Sequence, residues 1–121
     1  MMQIGEVAAM TGLSVRTIRF YERKGVVKPS ARDANQHRLY DDETIHWLSL
    51  VGYLRQTGMS VKALADYYEL IQQGPATLNA RIDLLQAQRE RVVERMAAQK
   101  EQLWQIDHKL AHYQDDLTKY V

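Results

Sequence analysis

Apolar residues in the last third of the chain recur with a seven-residue period. With position a at Ile82 and position d at Leu78, only Arg89 and Gln99 interrupt a series of apolar residues and tyrosines. No glycine or proline occurs in residues 76–121, so the pattern predicts one long helix with a single apolar stripe. The stripe comprises Leu78, Ile82, Leu85, Val92, Met96, Leu103, Ile106, Leu110, Tyr113 and Leu117, with Tyr120 at its end.

This stripe needs a partner. A helix of about forty residues is about 60 Å long, which is too long for the remaining residues of the chain to cover. We therefore predict a homodimer in which the stripe pairs with the same helix of a second copy. The alternative is a helix folded back onto its own domain.

Four shorter helices are predicted in the front part of the chain from local start and stop signals. The first covers about residues 5–10 and ends at Gly12. The second follows Ser14, whose hydroxyl can cap a helix, and reaches about residue 24. The third begins at Asp41, because carboxylates favour the positive end of the helix dipole, and the fourth follows Ser60.

Two breaks rich in glycine and proline divide these helices. One covers residues 25–35 and includes Pro29, and the other is Gly74-Pro75. Proline restricts the residue before it to extended backbone, and glycine tolerates a left-handed helix end. We therefore predict a domain boundary at Gly74-Pro75.

Composition narrows the possible chemistry. The chain has 121 residues, of which 45% are apolar and 26% charged, as expected for one small folded domain with an extension. It contains no cysteine, which excludes disulfides, thiolate metal sites, iron–sulfur ligation and cysteine nucleophiles. No apolar run approaches membrane-spanning length, and no secretory signal precedes the first helix. We expect a cytoplasmic protein without a membrane partner.

The positive charge is concentrated at the front. Residues 1–40 contain seven Lys or Arg and three acids, whereas residues 77–121 contain seven of each. This asymmetry suggests a front half that meets a polyanion, although on charge alone a solvated surface is the favoured interpretation.

Residues 4–24 have the organisation of a helix-turn-helix, with a short helix, a turn at Gly12 and a capped second helix. Arginine on such a second helix can bind guanine edges in the major groove. An ordinary helical hairpin with exposed arginines is the alternative. The predicted small core between the helices is Val7, Ala8, Leu13 and Ile18.

The sequence from Ile4 to Leu64 resembles the DNA-binding domain of the MerR family of bacterial transcriptional regulators. The matching motifs are Ile4-Gly5-Glu6, Thr11-Gly12-Leu13-Ser14, Thr17-Ile18-Arg19-Phe20-Tyr21-Glu22, Gly25-Val26-Val27-Lys28-Pro29, Arg38-Leu39-Tyr40, and Arg55 with Gly58-Met59-Ser60. They occur in the order and at the spacing of that family.

The resemblance implies a mainly α fold, with a winged helix-turn-helix DNA-binding domain in residues 1–73 and an antiparallel coiled-coil dimerisation helix in residues 76–121. The first wing would occupy residues 29–40 and a second helix pair residues 41–73. Implied DNA-binding residues are Ser14, Arg16, Thr17, Arg19, Phe20, Tyr21, Arg32, His37, Arg38, Tyr40, Arg55, Ser60 and Lys62.

The family's function is implied as well. The homodimer would bind a near-palindromic promoter operator and distort the spacer DNA in response to an effector, so that RNA polymerase meets realigned promoter elements. The partners implied are double-stranded promoter DNA, RNA polymerase, a second copy of the chain and a small-molecule effector. No cofactor is implied.

The chain departs from the family at the tip of the first wing. The usual Asn-Gly-Tyr-Arg reads Asn35-Gln36-His37-Arg38 here. Gln36 reaches positive φ less easily than glycine, and Asn35 is the alternative left-handed residue. His37 would either bond a phosphate or fill the place of the tyrosine.

The effector side departs further, because the cysteines that many relatives use for metals are absent. His108 and His112 have a spacing that suits a metal, but packing or plain exposure is the favoured interpretation and we predict no metal site. We predict instead that a small ligand binds around Tyr67 and Tyr68.

The sequence offers little support for catalysis. Asp41, Asp42 and Glu43 are adjacent at a helix start, where capping explains them, so we do not predict an enzyme. The alternative function is a protein-binding adaptor, similar to a chaperone modulator, that uses the same small winged fold.

Overall fold

A computed structural model describes residues 1–119, and this part of the chain is mainly α-helical. Tyr120, the last predicted stripe position, lies outside the described residues. The elements are β1 (Met2–Gln3), α1 (Ile4–Thr11), α2 (Val15–Arg23), β2 (Ala31–Arg32), β3 (Arg38–Tyr40), α3 (Asp42–Gln56), α4 (Val61–Gln72), a 3-10 turn (Pro75–Thr77) and α5 (Leu78–Lys119).

The predicted helix starts are confirmed by their caps. Ser14, Asp41 and Ser60 each have extended backbone and precede α2, α3 and α4. In each case the N–H three residues later donates to the cap oxygen, at 2.8 to 3.0 Å. The Asp41 carboxylate caps α3 by accepting from the Thr44 N–H, and the hydrogen bonds from Thr44 lower its pKa.

The turn between α1 and α2 is closed by backbone and hydroxyl contacts. Gly12 has a φ of 74°, and its N–H donates to the Ala8 carbonyl at 3.0 Å. The Thr11 hydroxyl donates to the Val7 carbonyl at 2.8 Å and accepts from the Leu13 N–H at 3.3 Å. These contacts fix the angle at which α2 follows α1.

A three-stranded antiparallel sheet contains the predicted wing. Strand β3 lies in the middle, with β2 on one side and β1 on the other. Ala31 pairs with Leu39, and Met2 pairs with Tyr40. The sequence did not predict β1, because two residues are too short for any period to appear.

The core of the N-terminal unit, residues 1–85, lies where α1, α2, α3 and α4 meet. Of the four predicted core residues, Val7 and Ile18 are fully buried, and Ala8 and Leu13 are half-buried. Trp47 packs edge-on against Tyr67, with the ring centres 5.2 Å apart. Its indole N–H donates to the Val26 carbonyl at 2.8 Å. This core holds α1 and α2, the two helices of the helix-turn-helix, in place.

Compact packing continues past the predicted boundary at Gly74-Pro75. The chain divides into the N-terminal unit, which ends at Leu85, and a C-terminal unit that begins at Gln86. Leu84 packs against the core of the N-terminal unit. None of the helices within residues 1–119 is long and apolar enough to cross a membrane.

Candidate nucleic-acid interface

Helix α2 presents a basic face. Arg16, Arg19 and Arg23 are exposed, while Ile18 and Tyr21 point into the core. Positions three and four residues apart lie on one side of a helix, so the three guanidinium groups share a face. Within residues 1–119 none of the three forms an ion pair with an acidic side chain, so their charge is available to a ligand.

The other predicted residues of α2 are less accessible. The Ser14 hydroxyl caps the helix and lies 2.8 Å from the Thr17 hydroxyl, to which it donates. Phe20 is half-buried, with the Lys24 ammonium 5.8 Å from its ring centre. Tyr21 is only 4% exposed, so the structure places it in the scaffold that holds α2 and not on the basic face.

Asp33 organises the tip of the first wing. Its Oδ1 accepts from the N–H groups of Asn35 and His37, both at 2.9 Å, and its Oδ2 lies 3.1 Å from His37 Nδ1. The pKa of the Asp33 carboxyl is lowered, mainly because it accepts a hydrogen bond from the backbone N–H of His37. Desolvation acts in the opposite direction and offsets only part of this effect. Asp33 was not predicted as a site residue, although an aspartate in a turn commonly accepts from the backbone N–H two residues further on.

The left-handed residue of the wing is Gln36, with a φ of 66°. The alternative, Asn35, is wrong. The Gln36 N–H donates to the Asp33 carbonyl at 3.0 Å, and Arg32 Nη1 donates to the Gln36 carbonyl at 2.8 Å. The N–H of Asn35 donates instead to the Asp33 carboxylate.

A carboxylate on α2 joins this helix to the wing. Glu22 Oε2 accepts from Arg38 Nε at 2.6 Å, and Glu22 Oε1 accepts from the Tyr40 hydroxyl. The Arg38 side chain is one-third exposed, and its bond to Glu22 uses Nε. Burial, with help from the Glu22 carboxylate, raises the pKa of Tyr40 well above its ordinary range.

Tyr40 therefore has a different position from the one predicted for it. It is fully buried, and its hydroxyl is taken by Glu22, so it cannot meet a phosphate without leaving the core. Glu22 was part of the recognised motif but was not predicted as a site residue. An acidic residue among the arginines of α2 is the sequence signal that could have indicated its role as an acceptor for the wing.

The remaining predicted basic residues lie on either side of the turn between α3 and α4. Arg55 Nη1 donates to the Met59 carbonyl at 3.1 Å, next to the α4 cap Ser60. Lys62 is exposed and lies 3.0 Å from Asp66. The free N–H groups of the first turn of α4, together with Arg55, give this corner a positive potential.

The predicted dimerisation residues lie mostly in the open on α5. Leu103, Leu110 and Leu117 are 56%, 51% and 67% exposed. Leu78, Ile82, Leu85, Met96, Ile106 and Tyr113 are also exposed, and Val92 is half-buried. The apolar stripe is thus present on the surface of the single chain.

The residues predicted near an effector are part of the core. Tyr67 and Tyr68 are buried against Trp47. The Tyr68 hydroxyl accepts from the Lys28 N–H at 3.2 Å, and Tyr68 forms one wall of an open cleft of about 570 Å³. A role in effector binding stays a prediction.

The histidines near the end of α5 pair with neighbours on their own helix. The rings of Trp104 and His108 stack at 5.0 Å, and His112 Nε2 lies 3.5 Å from Asp116. Among the residues that the structure describes, no group of three potential metal ligands occurs.

Comparison with known proteins places this chain among transcriptional regulators. The family described as MerR HTH family regulatory protein matches residues 2–70. The HTH-type transcriptional regulator AdhR of Bacillus subtilis (strain 168) is 38% identical over 93 residues, which cover 77% of this chain and 66% of that protein. An uncharacterized HTH-type regulator of Haemophilus influenzae is 34% identical over 109 residues, covering 90% and 81%. Just under two thirds of AdhR is therefore matched.

Solved structures agree. A Listeria monocytogenes protein assigned to the MerR family superposes with a TM-score of 0.87 at 32% identity, over 99% of this chain and 96% of that one. HiNmlR, a MerR family regulator that lacks the sensor domain and was crystallised on promoter DNA, gives a TM-score of 0.80 at 33% identity, over 93% and 90%. The resemblance seen in the sequence and the winged helix-turn-helix are thereby confirmed, and the chain belongs to the MerR family of helix-turn-helix regulatory proteins.

Proposed function

We propose that this protein is a transcriptional regulator that binds a near-palindromic promoter operator as a homodimer. The observation that carries the proposal is the exposed face of α2, on which Arg16, Arg19 and Arg23 have no acidic partner within residues 1–119. A well-placed arginine contributes about 1–3 kcal/mol of discrimination against a wrong base. Arg16, Arg19 and Arg23 thus supply three candidate contacts to the base edges of a half-site.

The wing and the α3–α4 corner supply contacts to the DNA backbone. Arg38 is held by Glu22 through Nε, which leaves its terminal nitrogens for a phosphate. Arg55 and Lys62 flank the capped start of α4, where backbone N–H groups favour an anion. Such contacts position the protein, while the face of α2 reads bases.

Pairing of α5 with a second copy accounts for its exposed stripe. Burial of a leucine side chain contributes about 1.5–3 kcal/mol relative to exposure, and Leu103, Leu110 and Leu117 are each more than half exposed. A dimer also gives two copies of α2, as a near-palindromic operator requires.

Control of transcription would work through the DNA. We infer that the bound dimer distorts the spacer between promoter elements so that RNA polymerase can engage them, in response to an effector. The relatedness to HiNmlR, which was crystallised on promoter DNA, supports the DNA-binding part of this proposal. These 121 residues contain no cysteine, so they offer no thiolate to an effector.

Selection from a random-sequence duplex library tests the proposal. The wild-type protein should enrich an inverted repeat, and Arg19→Ala should weaken its binding by at least tenfold without changing the sedimentation coefficient of the free protein. Lys100→Ala is the matched control, since it removes one positive charge from the exposed surface of α5. Its affinity should stay within about twofold.

Two results would contradict the proposal. Enrichment of no sequence, with weak binding that ignores salt, would favour the adaptor function, because contacts to phosphates make affinity fall steeply with salt. Equal losses of affinity in Arg19→Ala and Lys100→Ala would show that α2 does not read the bases.

Distortion of the DNA is measured by energy transfer between dyes at the two ends of the selected duplex. An unchanged transfer efficiency on binding would refute the proposed distortion.

A further inference from the structure

The joint between α4 and α5 is held by a side-chain clasp. The Arg81 guanidinium, in the first turn of α5, donates through Nη2 to the Gly74 carbonyl at 2.7 Å and lies 3.4 Å from the carbonyls of Leu70 and Ile71. Its Nε donates to the Thr77 hydroxyl oxygen at 2.9 Å. The clasp therefore ties α5 to the end of the preceding helix.

Thr77 completes the clasp. Its hydroxyl oxygen lies 2.5 Å from the Leu70 carbonyl and 2.8 Å from the Gly74 carbonyl, and it accepts from Arg81. The last carbonyls of a helix lack partners inside the helix and carry partial negative charge. A half-buried cation at this position satisfies several of them together.

The backbone of the joint is also specific. Gly74 has a φ of 85° and a ψ of −165°, a region that is essentially restricted to glycine. Pro75 follows at the start of the 3-10 turn and fixes its own φ. Together with the clasp, these residues leave α5 few directions in which to begin.

A small rotation at the joint has a large effect along α5. The middle of the helix, near Gln99, lies about 30 Å from Leu78 at 1.5 Å of rise per residue. A rotation of about 10° at the start of α5 moves that point by about 5 Å, which exceeds the spacing of about 3.4 Å between successive bases.

We propose that Arg81, together with Thr77, is a positioning element that sets the separation of the two operator half-sites by fixing the direction in which α5 leaves α4. The proposal rests on the proposed function, because it needs a dimer that reads two half-sites. Arg81 itself touches no DNA in this scheme. It acts on spacing and leaves the sequence of each half-site to α2.

Operators with altered spacing test this. The full-length protein is titrated onto the selected operator and onto versions whose centre is one or two base pairs longer or shorter. We expect wild type and the control Arg91→Ala, an arginine on α5 that bonds Gln88, to prefer one spacing by at least tenfold. Arg81→Ala and Thr77→Val should reduce the preference to less than threefold.

The proposal is overturned if Arg81→Ala and Thr77→Val both keep the tenfold preference while circular dichroism shows native helix content. Thr77→Val guards against misfolding of the arginine variant, since it removes only the hydroxyl contacts and preserves the volume of the side chain. A lost preference in Arg91→Ala would also count against Arg81, because the effect would then belong to any arginine of α5.

A second measurement separates this proposal from the proposed function. The chain has no cysteine, so Glu43→Cys and Lys100→Cys, both exposed positions, carry two spin labels on a single chain diluted with unlabelled protein. We expect Arg81→Ala to broaden the distribution of distances between the labels at least twofold, and Arg91→Ala to leave it unchanged. An unchanged width in Arg81→Ala overturns the clasp. This result stands whether or not the protein binds an operator.

Discussion

Gln36 holds a backbone conformation that an L-residue adopts at a cost. Its φ of 66° lies in the left-handed region, which costs a residue with a Cβ about 1–2 kcal/mol. The two contacts that hold the turn use its backbone N–H and carbonyl, so they survive replacement by glycine. Glycine also raises the conformational entropy of the unfolded chain, which lowers the free energy of unfolding by about 0.4–1 kcal/mol.

We therefore expect Gln36→Gly to raise the free energy of unfolding by about 0.5–1 kcal/mol, measured by urea denaturation. Asn35→Gly is the control, since Asn35 is a neighbouring tip residue without positive φ, and it should be neutral or destabilising. If both variants gain stability equally, the strain assigned to Gln36 is not its source.

Glu22 is the residue that links α2 to the wing. Its side chain is 11% exposed and accepts from Arg38 and Tyr40. Hydrogen bonds to charged groups contribute about 1.5–3 kcal/mol, and a glutamine in its place keeps the shape and loses the charge. Glu22→Gln should lower the free energy of unfolding by about 1–2 kcal/mol.

The matched control is Glu69→Gln, an exposed carboxylate on α4. Surface substitutions usually change stability by less than about 0.5 kcal/mol, so the two variants should separate clearly in urea denaturation. Equal effects would show that Glu22 contributes no more than a solvated charge.

At the scale of the element, the turn of the helix-turn-helix depends on Gly12. Its φ of 74° ends α1, and an added Cβ would meet no atom within 4 Å, so the backbone alone sets the cost of a side chain. Gly12→Ala should reduce the free energy of unfolding by about 1–2 kcal/mol. Gly5→Ala, inside α1 and equally open, should be neutral or stabilising by up to about 1 kcal/mol. Thermal denaturation of both variants checks the difference, and a loss in Gly5→Ala would point to an unrecognised contact of α1.

The elements that the sequence predicted are those with local causes. Capping by Ser14, Asp41 and Ser60, and the heptad of α5, depend on neighbours along the chain, and the structure confirms each of these helices. Strand β1 has no local cause, since Met2 and Gln3 become a strand only by pairing with β3.

The same distinction explains the candidate site. A tyrosine beside arginines has the same local pattern whether it faces solvent or the core, so the burial of Tyr21 and Tyr40 required knowledge of the packed fold. The exposure of Arg16 and Arg19 follows from helical period together with the burial of Ile18. The acceptor role of Glu22 depends on a wing that lies sixteen residues further along the chain.

Across the whole molecule, charge and apolar surface are allocated to different parts of the chain. The N-terminal unit buries its apolar residues and presents arginines, whereas α5 presents an apolar stripe and balances its charges. A contiguous exposed apolar surface of this kind marks an interaction site in a folded protein. The stripe follows a heptad, and a heptad stripe is suited to pairing with another helix of matching period.

The proposed dimer can be tested at the middle of that stripe. Leu103 occupies position a and is 56% exposed in the single chain, so a glutamate there costs the monomer little. In a paired helix the same glutamate would bury a charge opposite apolar side chains, which is costly unless it finds a partner. Gln105→Glu, two residues away on the outer face and exposed, adds the same charge outside the seam. We expect Leu103→Glu to sediment as a monomer at concentrations where wild type and Gln105→Glu sediment as dimers. A Leu103→Glu variant that stays dimeric would place the interface elsewhere on the chain.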